Sequence, residues 1–347
     1  MSHVLLTGGA GFFGGVLKRR LLAEGNTVVS VDLEMDQDTH PGLTSIQGDL
    51  RDRSLIKKLF ANHRFDAVYH VAAQLAHGMK IDKNLLWTSN VDATRLLAEC
   101  AREAGVKPFI FISSNCLWAS NLGHPVNEEN DLPAPAEIYG RSKLAAEQLL
   151  QEFADDMNVV ILRSPTIIDE GRLGLLGILF EFIDDHKTVW VVGDGGNRYQ
   201  FIYADDLASA CILGSRYGKS DLFHIGSDHV GTMREVYESV IRKSGSKSKV
   251  RSLPQKVTIA MMQLAHYLRI SPLGPYHYKM IAESFVFDTS RIKKNLHWSP
   301  TLTNEQMLLK SYEYYRRNRA EIASRTEASA HRKVTPMGVI RVLKWLS

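Results

Sequence analysis

Short runs that are apolar at nearly every position alternate along this chain with stretches in which apolar residues recur every three or four. HVLLTG, TVVSVDL, AVYHVAA, PFIFISS and VVILRSP are the runs. Their β-branched content and lack of in/out alternation predict strands buried on both faces. Between them, residues 14–24, 54–62, 90–104 and 139–154 carry the helical period. Strands separated by helices predict a doubly wound α/β chain with a parallel sheet covered on both sides.

Past residue 165 the regularity breaks. GRLGLLGILFEFIDDH predicts a helix, TVWVVGDGGNRYQFIYADDL two short strands around a Gly-rich turn, and a further helix starts near Thr232. The predicted organisation is 1–165 as a dinucleotide-binding domain, 166–325 mainly as a smaller substrate lobe with parts returning to the first sheet, and 326–347 as a basic amphipathic tail.

Composition narrows the picture. Of 347 residues, 44% are hydrophobic and 23% charged, with a net charge of +4. That is an ordinary globular balance, too mild for a nucleic-acid binder. Cys100, Cys116 and Cys211 lie far apart and match neither zinc nor disulfide spacing, which fits a reducing cytoplasm. The histidines, including His70, His77, His124 and His224, show no ligand-like i,i+4 pairing, so no metal is expected. No apolar run reaches the roughly 18 residues that span a bilayer.

The chemistry begins at VLLTGGAGFFGG. Gly8 suits a tight turn, Gly11 lets backbone N–H groups approach a pyrophosphate, and Gly14 lets helix and strand pack closely. Asp32 closes the second strand about 20 residues on, where a carboxylate can accept both ribose hydroxyls and repel a 2′-phosphate. That favours NAD over NADP. Asp49, followed by Leu50, sits after a third strand and could reach the adenine amino group. In AEIYGRSKLAAEQLL, Tyr139 and Lys143 share a helix face. Alone, the pair would ordinarily be a packed ring and a solvated amine; beside a cofactor site, the cation would lower the phenol pKa and make a usable acid/base.

As a set, these motifs resemble the extended short-chain dehydrogenase/reductase superfamily, in its NAD-dependent epimerase/dehydratase group, over nearly all of the chain to about residue 320. TGGAGFFG is similar to its TGxxGxxG turn and brings in Phe12 and Phe13. HVAAQ is similar to its alanine-rich segment, involving Ala72, Ala73 and Gln74; NVDAT brings in Asn90. SSNCLWA puts Ser114 at the catalytic serine position, YGRSK gives YxxxK, and Pro165 matches the loop beside the nicotinamide. The resemblance implies a Rossmann domain holding NAD, Tyr139 as acid/base, Lys143 on the nicotinamide ribose and Ser114 on the reacting oxygen. It also implies a homodimer through a helix bundle containing the Tyr-Lys helix.

Departures from the pattern shape the reaction. Dehydratase members follow the catalytic serine or threonine with Asp-Glu; here Asn115 and Cys116 stand there, which argues against dehydration. Epimerases carry an Asn where this chain has Thr166, and arginines that clamp a diphosphate. Arg198 stands one position early, and Lys279 offers a point charge instead of a fork. The expected substrate is a nucleotide-sugar, contacted by Ser114, Asn115, Thr166, Arg198 and Lys279, and the expected reaction is epimerisation, at C4. The alternative is a dehydrogenase or ketoreductase acting on a sugar, steroid-like or other secondary alcohol. Asp205 and Asp206 are expected to cap a helix. In the tail, Val339, Ile340, Leu343 and Leu346 fall at helical spacing among Arg332, Lys333, Arg341 and Lys344. This predicts either a docking helix or a peripheral membrane contact.

Overall fold

The computed structural model describes residues 1–76, 81–119, 121–268 and 281–324. Its central element is a sheet of seven strands, all parallel. They are β1 (His3–Thr7), β2 (Thr27–Asp32), β3 (Leu43–Gln47), β4 (Ala67–His70), β5 (Pro108–Ser114), β6 (Asn158–Ser164) and β10 (Asp221–His224). The spatial order is β10-β6-β5-β4-β1-β2-β3, so chain direction across the sheet reverses between β1 and β4. In such sheets, ligands bind beyond the C-terminal strand ends at that reversal.

Because β1 is apolar throughout, it feeds two cores. Val4 and Leu6 face one layer, where Leu17 and Leu21 of α1 (Phe12–Ala23) meet Ala208 and Ile212 of α7 (Ala204–Ser215). Leu5 faces the other, with Leu59 of α2 (Arg53–Asn62), Leu97 of α4 (Ala93–Glu103) and Leu150 of α5 (Ile138–Gln151). Each such side chain, fully removed from water, contributes about 1.5–3 kcal/mol. This is the doubly wound architecture, and β10 is the later segment that returns to the first sheet.

A separate core forms the second part. Phe180 of α6 (Leu176–Asp184), Phe201 of β9 (Phe201–Tyr203), Val236 of α8 (Met233–Ser244) and Tyr312 of the helix Asn304–Arg317 pack together. Thr232 caps α8 with a reciprocal Glu235 bond, as its sequence position suggests. The strands flanking the Gly-rich turn do not pair with each other. Instead β8 (Val189–Val192) joins β11 (Val250–Leu253), and β9 joins β7 (Thr166–Ile168). Asp205 and Asp206 occupy the first turn of α7 but cap nothing. Asp205 binds Arg20 at 2.6 Å, and Asp206 accepts from the Thr301 N–H and hydroxyl at 2.8 and 2.7 Å. Long-range partners outcompete the local cap because they fix the Thr301 segment against α7.

Candidate active site

The glycine turn after β1 is built by close approach. Gly8 has φ +78°, and a Cβ there would lie 2.7 Å from the Ala72 nitrogen. A Cβ on Gly14 would lie 1.9 Å from the Gly8 carbonyl oxygen, so α1 can start only where it does without one. Gly11 is the N-cap of α1 and supplies no side-chain cap, leaving Phe12, Phe13 and Gly14 at an N-terminus suited to a pyrophosphate. Lys18, fully buried on α1, donates to the Gly9 carbonyl at 3.3 Å and pairs with Asp36 and, at 2.8 Å, Asp38. It pins the turn from beneath, a role that nothing in its sequence context signals.

Asp32 accepts the Ala10 N–H at 3.0 Å, which holds its carboxylate beside the turn. The Gly48 N–H donates to the Asp32 carbonyl at 2.8 Å, bringing Asp49 alongside. The Asp49 carboxylate is gripped by the Arg51 guanidinium, at 2.5 Å for the shortest contact, and that bond lowers its pKa. Leu50 packs on the neighbouring core. Glycines that a Cβ would fill and a carboxylate turned toward them fit a dinucleotide.

Ala72, Ala73 and Gln74 follow β4, with the Ala72 N–H donating to Thr7 Oγ1 at 3.3 Å. Asn90 lies in a π-helical turn, Thr88–Asp92, and is buried. Its Oδ1 accepts from the Gln74 N–H at 2.7 Å, while Nδ2 donates to the Gln74 carbonyl and to Ser142 Oγ, both at 3.0 Å. The Ser142 hydroxyl donates to the Tyr139 carbonyl at 2.8 Å. Asn90 therefore ties the loop after β4 to the head of α5, and a π-turn inside a helix is often a functional feature.

Register aligns Ser114 with Ser164 at the ends of β5 and β6, so Pro165 leaves the sheet beside Ser114. The Ser114 Oγ accepts from the Cys116 N–H at 3.2 Å. A Cβ on Gly140 would lie 2.2 Å from the Cys116 carbonyl oxygen. The glycine after Tyr139 is what lets α5 begin against the Ser114 turn. Lys143, buried one turn on, rests its ammonium 3.9 Å from the Phe111 ring centroid.

Electrostatics depart from the expectation of an acidified phenol. Burial raises the Tyr139 pKa, with Cys116 adding to the rise and Arg172 opposing it. Burial also lowers Lys143, to about 7, against the pull of Glu147. An amine poised near neutrality is a weaker cation than a solvated lysine, so it does not dominate the phenol. Arg172, whose guanidinium lies 5.7 Å from the Phe12 ring centroid, is the cation that acts on Tyr139. Its only sequence signal is its place in the DEGR loop after β7.

Tyr199 and Arg198, neighbours just before β9, meet different partners. The Asn115 Nδ2 donates to the Tyr199 hydroxyl at 2.7 Å, so Tyr199 faces the Ser114 turn. Arg198 donates to the Val230 carbonyl and lines a cavity of about 460 Å³ with His124, Gln200, Ser227 and His229. Neither Ser114, Tyr139 nor Lys143 lines that cavity. Thr166 opens β7 just after Pro165. Lys279, His77 and the tail 326–347 lie outside the described residues.

The sheet order, the glycine turn and the Ser114, Tyr139 and Lys143 constellation define a dinucleotide-binding chain of the short-chain dehydrogenase/reductase type. The sequence model of the NAD-dependent epimerase/dehydratase family matches residues 4–226, and the chain belongs to that family. It is 36% identical to the uncharacterized protein y4nG of Sinorhizobium fredii, over 93% of this chain and 81% of that one. It is 26% identical to the UDP-glucose 4-epimerase of Mycolicibacterium smegmatis, over 90% of this chain and 98% of the relative. Its fold is similar to that of the Thermotoga maritima UDP-glucose 4-epimerase, with a TM-score of 0.75 and 23% identity over 91% and 99% of the two chains.

Proposed function

We propose that the protein is an NAD-dependent nucleotide-sugar epimerase acting at C4. The carrying observation is the pair that follows Ser114: Asn115, bonded to Tyr199, and Cys116, neither of them a carboxylic acid. Eliminating water from a keto-sugar needs an added acid and base. Without that pair, a ketone formed here is reduced again, and return from the other face inverts the carbon.

NAD, when bound, takes up and gives back the hydride. Tyr139 is the group placed to exchange the proton of the sugar hydroxyl, with the Arg172 cation opposing its burial-raised pKa and Ser114 hydrogen-bonding the same oxygen. Lys143 and Asn90 hold the phenol and the loop after β4 in register, and Asp32 reads the ribose. We assign the anionic part of the substrate to Arg172, which lies by Phe12 and acts on Tyr139, in preference to Arg198. The same proposal takes the enzyme as cytoplasmic and as a homodimer joined through the bundle containing α5. Among the described residues no helix is long and apolar enough to cross a membrane. For 326–347, outside the described residues, the proposal keeps the sequence expectation of docking or of peripheral membrane contact.

Arg198, lining a cavity that the trio does not, also supports a second reading, a dehydrogenase or ketoreductase on a secondary alcohol without a diphosphate. Mass spectrometry of the denatured protein separates the two. Retained NAD, with epimerisation of a UDP-sugar followed by proton NMR, is the expected result. An NAD-free protein that converts alcohols with net NADH formation would replace the first reading by the second.

A further inference from the structure

The helix α9 (Gln255–Tyr267) carries a stripe that the rest of the fold leaves in water. Val257, Met261, Leu264 and Leu268 recur at helical spacing and are 58%, 66%, 58% and 54% exposed. Leu268 continues the helical turn, its N–H donating to the Leu264 carbonyl at 2.9 Å. Tyr267, beside the stripe, is 83% exposed. An ordinary surface helix turns such a stripe inward. Here it points outward along a length of about 20 Å.

Charge identifies what the stripe fits. From 239 to 282 the sequence contains no Asp or Glu. Lys247, Lys249, Arg251 and Lys256 stand within that stretch, all exposed, and β11 leads directly into α9 through Pro254. Among the described residues none of these four cations has an ion-pair partner, whereas elsewhere on the surface arginines and lysines are commonly paired, as in Arg234–Glu238 and Arg291–Asp221. An outward apolar face, an adjoining run of exposed cations and an aromatic with a polar tip are the marks of a helix lying flat in a bilayer interface. A protein partner would meet one narrow stripe, small against the ~800 Å² per side of a stable interface. A bilayer needs no matching shape, and its anionic headgroups complement the lysines.

We propose that α9 and the basic segment before it form a docking surface for anionic membranes. The enzyme would thus work at the bilayer face, with its catalytic groups remaining on the C-terminal edge of the sheet.

The test uses the full chain with phosphatidylcholine vesicles, with and without phosphatidylglycerol. Co-sedimentation with the anionic vesicles alone, weakened by salt, is expected. The variant Met261→Glu/Leu264→Glu changes only exposed positions. It should keep its melting temperature and turnover in solution while losing at least tenfold in vesicle partitioning. Three results would overturn the proposal: wild-type protein that ignores anionic vesicles; a variant that binds them as well as wild type, which would put the contact elsewhere; or a variant whose light-scattering mass falls without vesicles, showing that a second copy covers the stripe.

Discussion

The Glu147 carboxylate lies one helical turn beyond Lys143 on α5 and is gripped by Arg163 of β6, at 3.0 Å from Nε and 2.6 Å from Nη2. Both partners are buried. Arg163 also reaches His224 on β10 at 3.3 Å, so the pair joins α5 to the sheet edge. Removing one partner of a buried pair leaves a charge without compensation. Glu147→Ala is therefore expected to lower the unfolding free energy by about 3–5 kcal/mol, read from urea titration. A cost below about 1 kcal/mol would mean that the pair is solvated.

Glu147 also sustains the charge on Lys143, which burial opposes. The milder Glu147→Gln keeps the shape and removes the charge. Its kcat profile should show the limb assigned to Lys143 displaced to lower pH. An unmoved profile would separate Glu147 from Lys143.

Gly140 is fixed by its approach to the Cys116 carbonyl, where a Cβ would sit at 2.2 Å. Gly140→Ala must push α5 away from the Ser114 turn, since backbone blocks it. Misplacement of about 1 Å can cost on the order of 100-fold in rate. The expected outcome is a folded, NAD-competent protein with turnover reduced by that order; wild-type turnover would mean that the turn adapts.

Tyr139→Phe removes the proton acceptor and leaves the ring. Turnover should fall by about 100- to 10,000-fold, the range for a positioned acid/base. Calorimetric NAD binding should stay within a few-fold of wild type. Substantial residual turnover would take Tyr139 out of its assigned role.

Asp32→Ala deletes the carboxylate that the Ala10 N–H holds. NAD should bind more weakly, by roughly tenfold for about 1.4 kcal/mol lost, and preference over NADP should shrink. If the preference is unchanged, the 2′ position is read elsewhere.

Two buried histidines set an acid limit. Burial holds His70, between Thr7 and Thr94, and His224, beneath Phe287, down to about 3. Between pH 6.5 and 3 the unfolded chain binds protons that the folded chain refuses, so stability falls as pH falls. Each site contributes up to about 1.4 kcal/mol per pH unit in that window. Urea midpoints measured from pH 7 to 4 should drop less steeply in His224→Gln.

Much of this was legible beforehand. The strands VLLT, VVSVD and FIFIS could be read because a parallel strand is apolar on both faces, which no surface segment sustains. The glycine turn and YGRSK could be read because their chemistry lies within a few neighbouring residues. Gly140 sits inside that motif, yet its purpose appears only once Cys116 is beside it.

Family resemblance brought in Ser114, while what the sequence determined by itself is the alternation of strands and helices up to β6, the glycine turn followed by Asp32, and Tyr139 and Lys143 on one helix face. Periodicity and short-range spacing specify these without reference to distant residues. Tertiary structure alone decided that Arg198 lines a cavity beside Val230 while Tyr199 meets Asn115, because those partners come from distant parts of the chain. It also decided that Asn90 binds Gln74 to Ser142 and that Glu147 meets Arg163. Those contacts join residues far apart in the chain, and only the packing of α5 against the π-turn Thr88–Asp92, β5 and β6 brings them within hydrogen-bond reach.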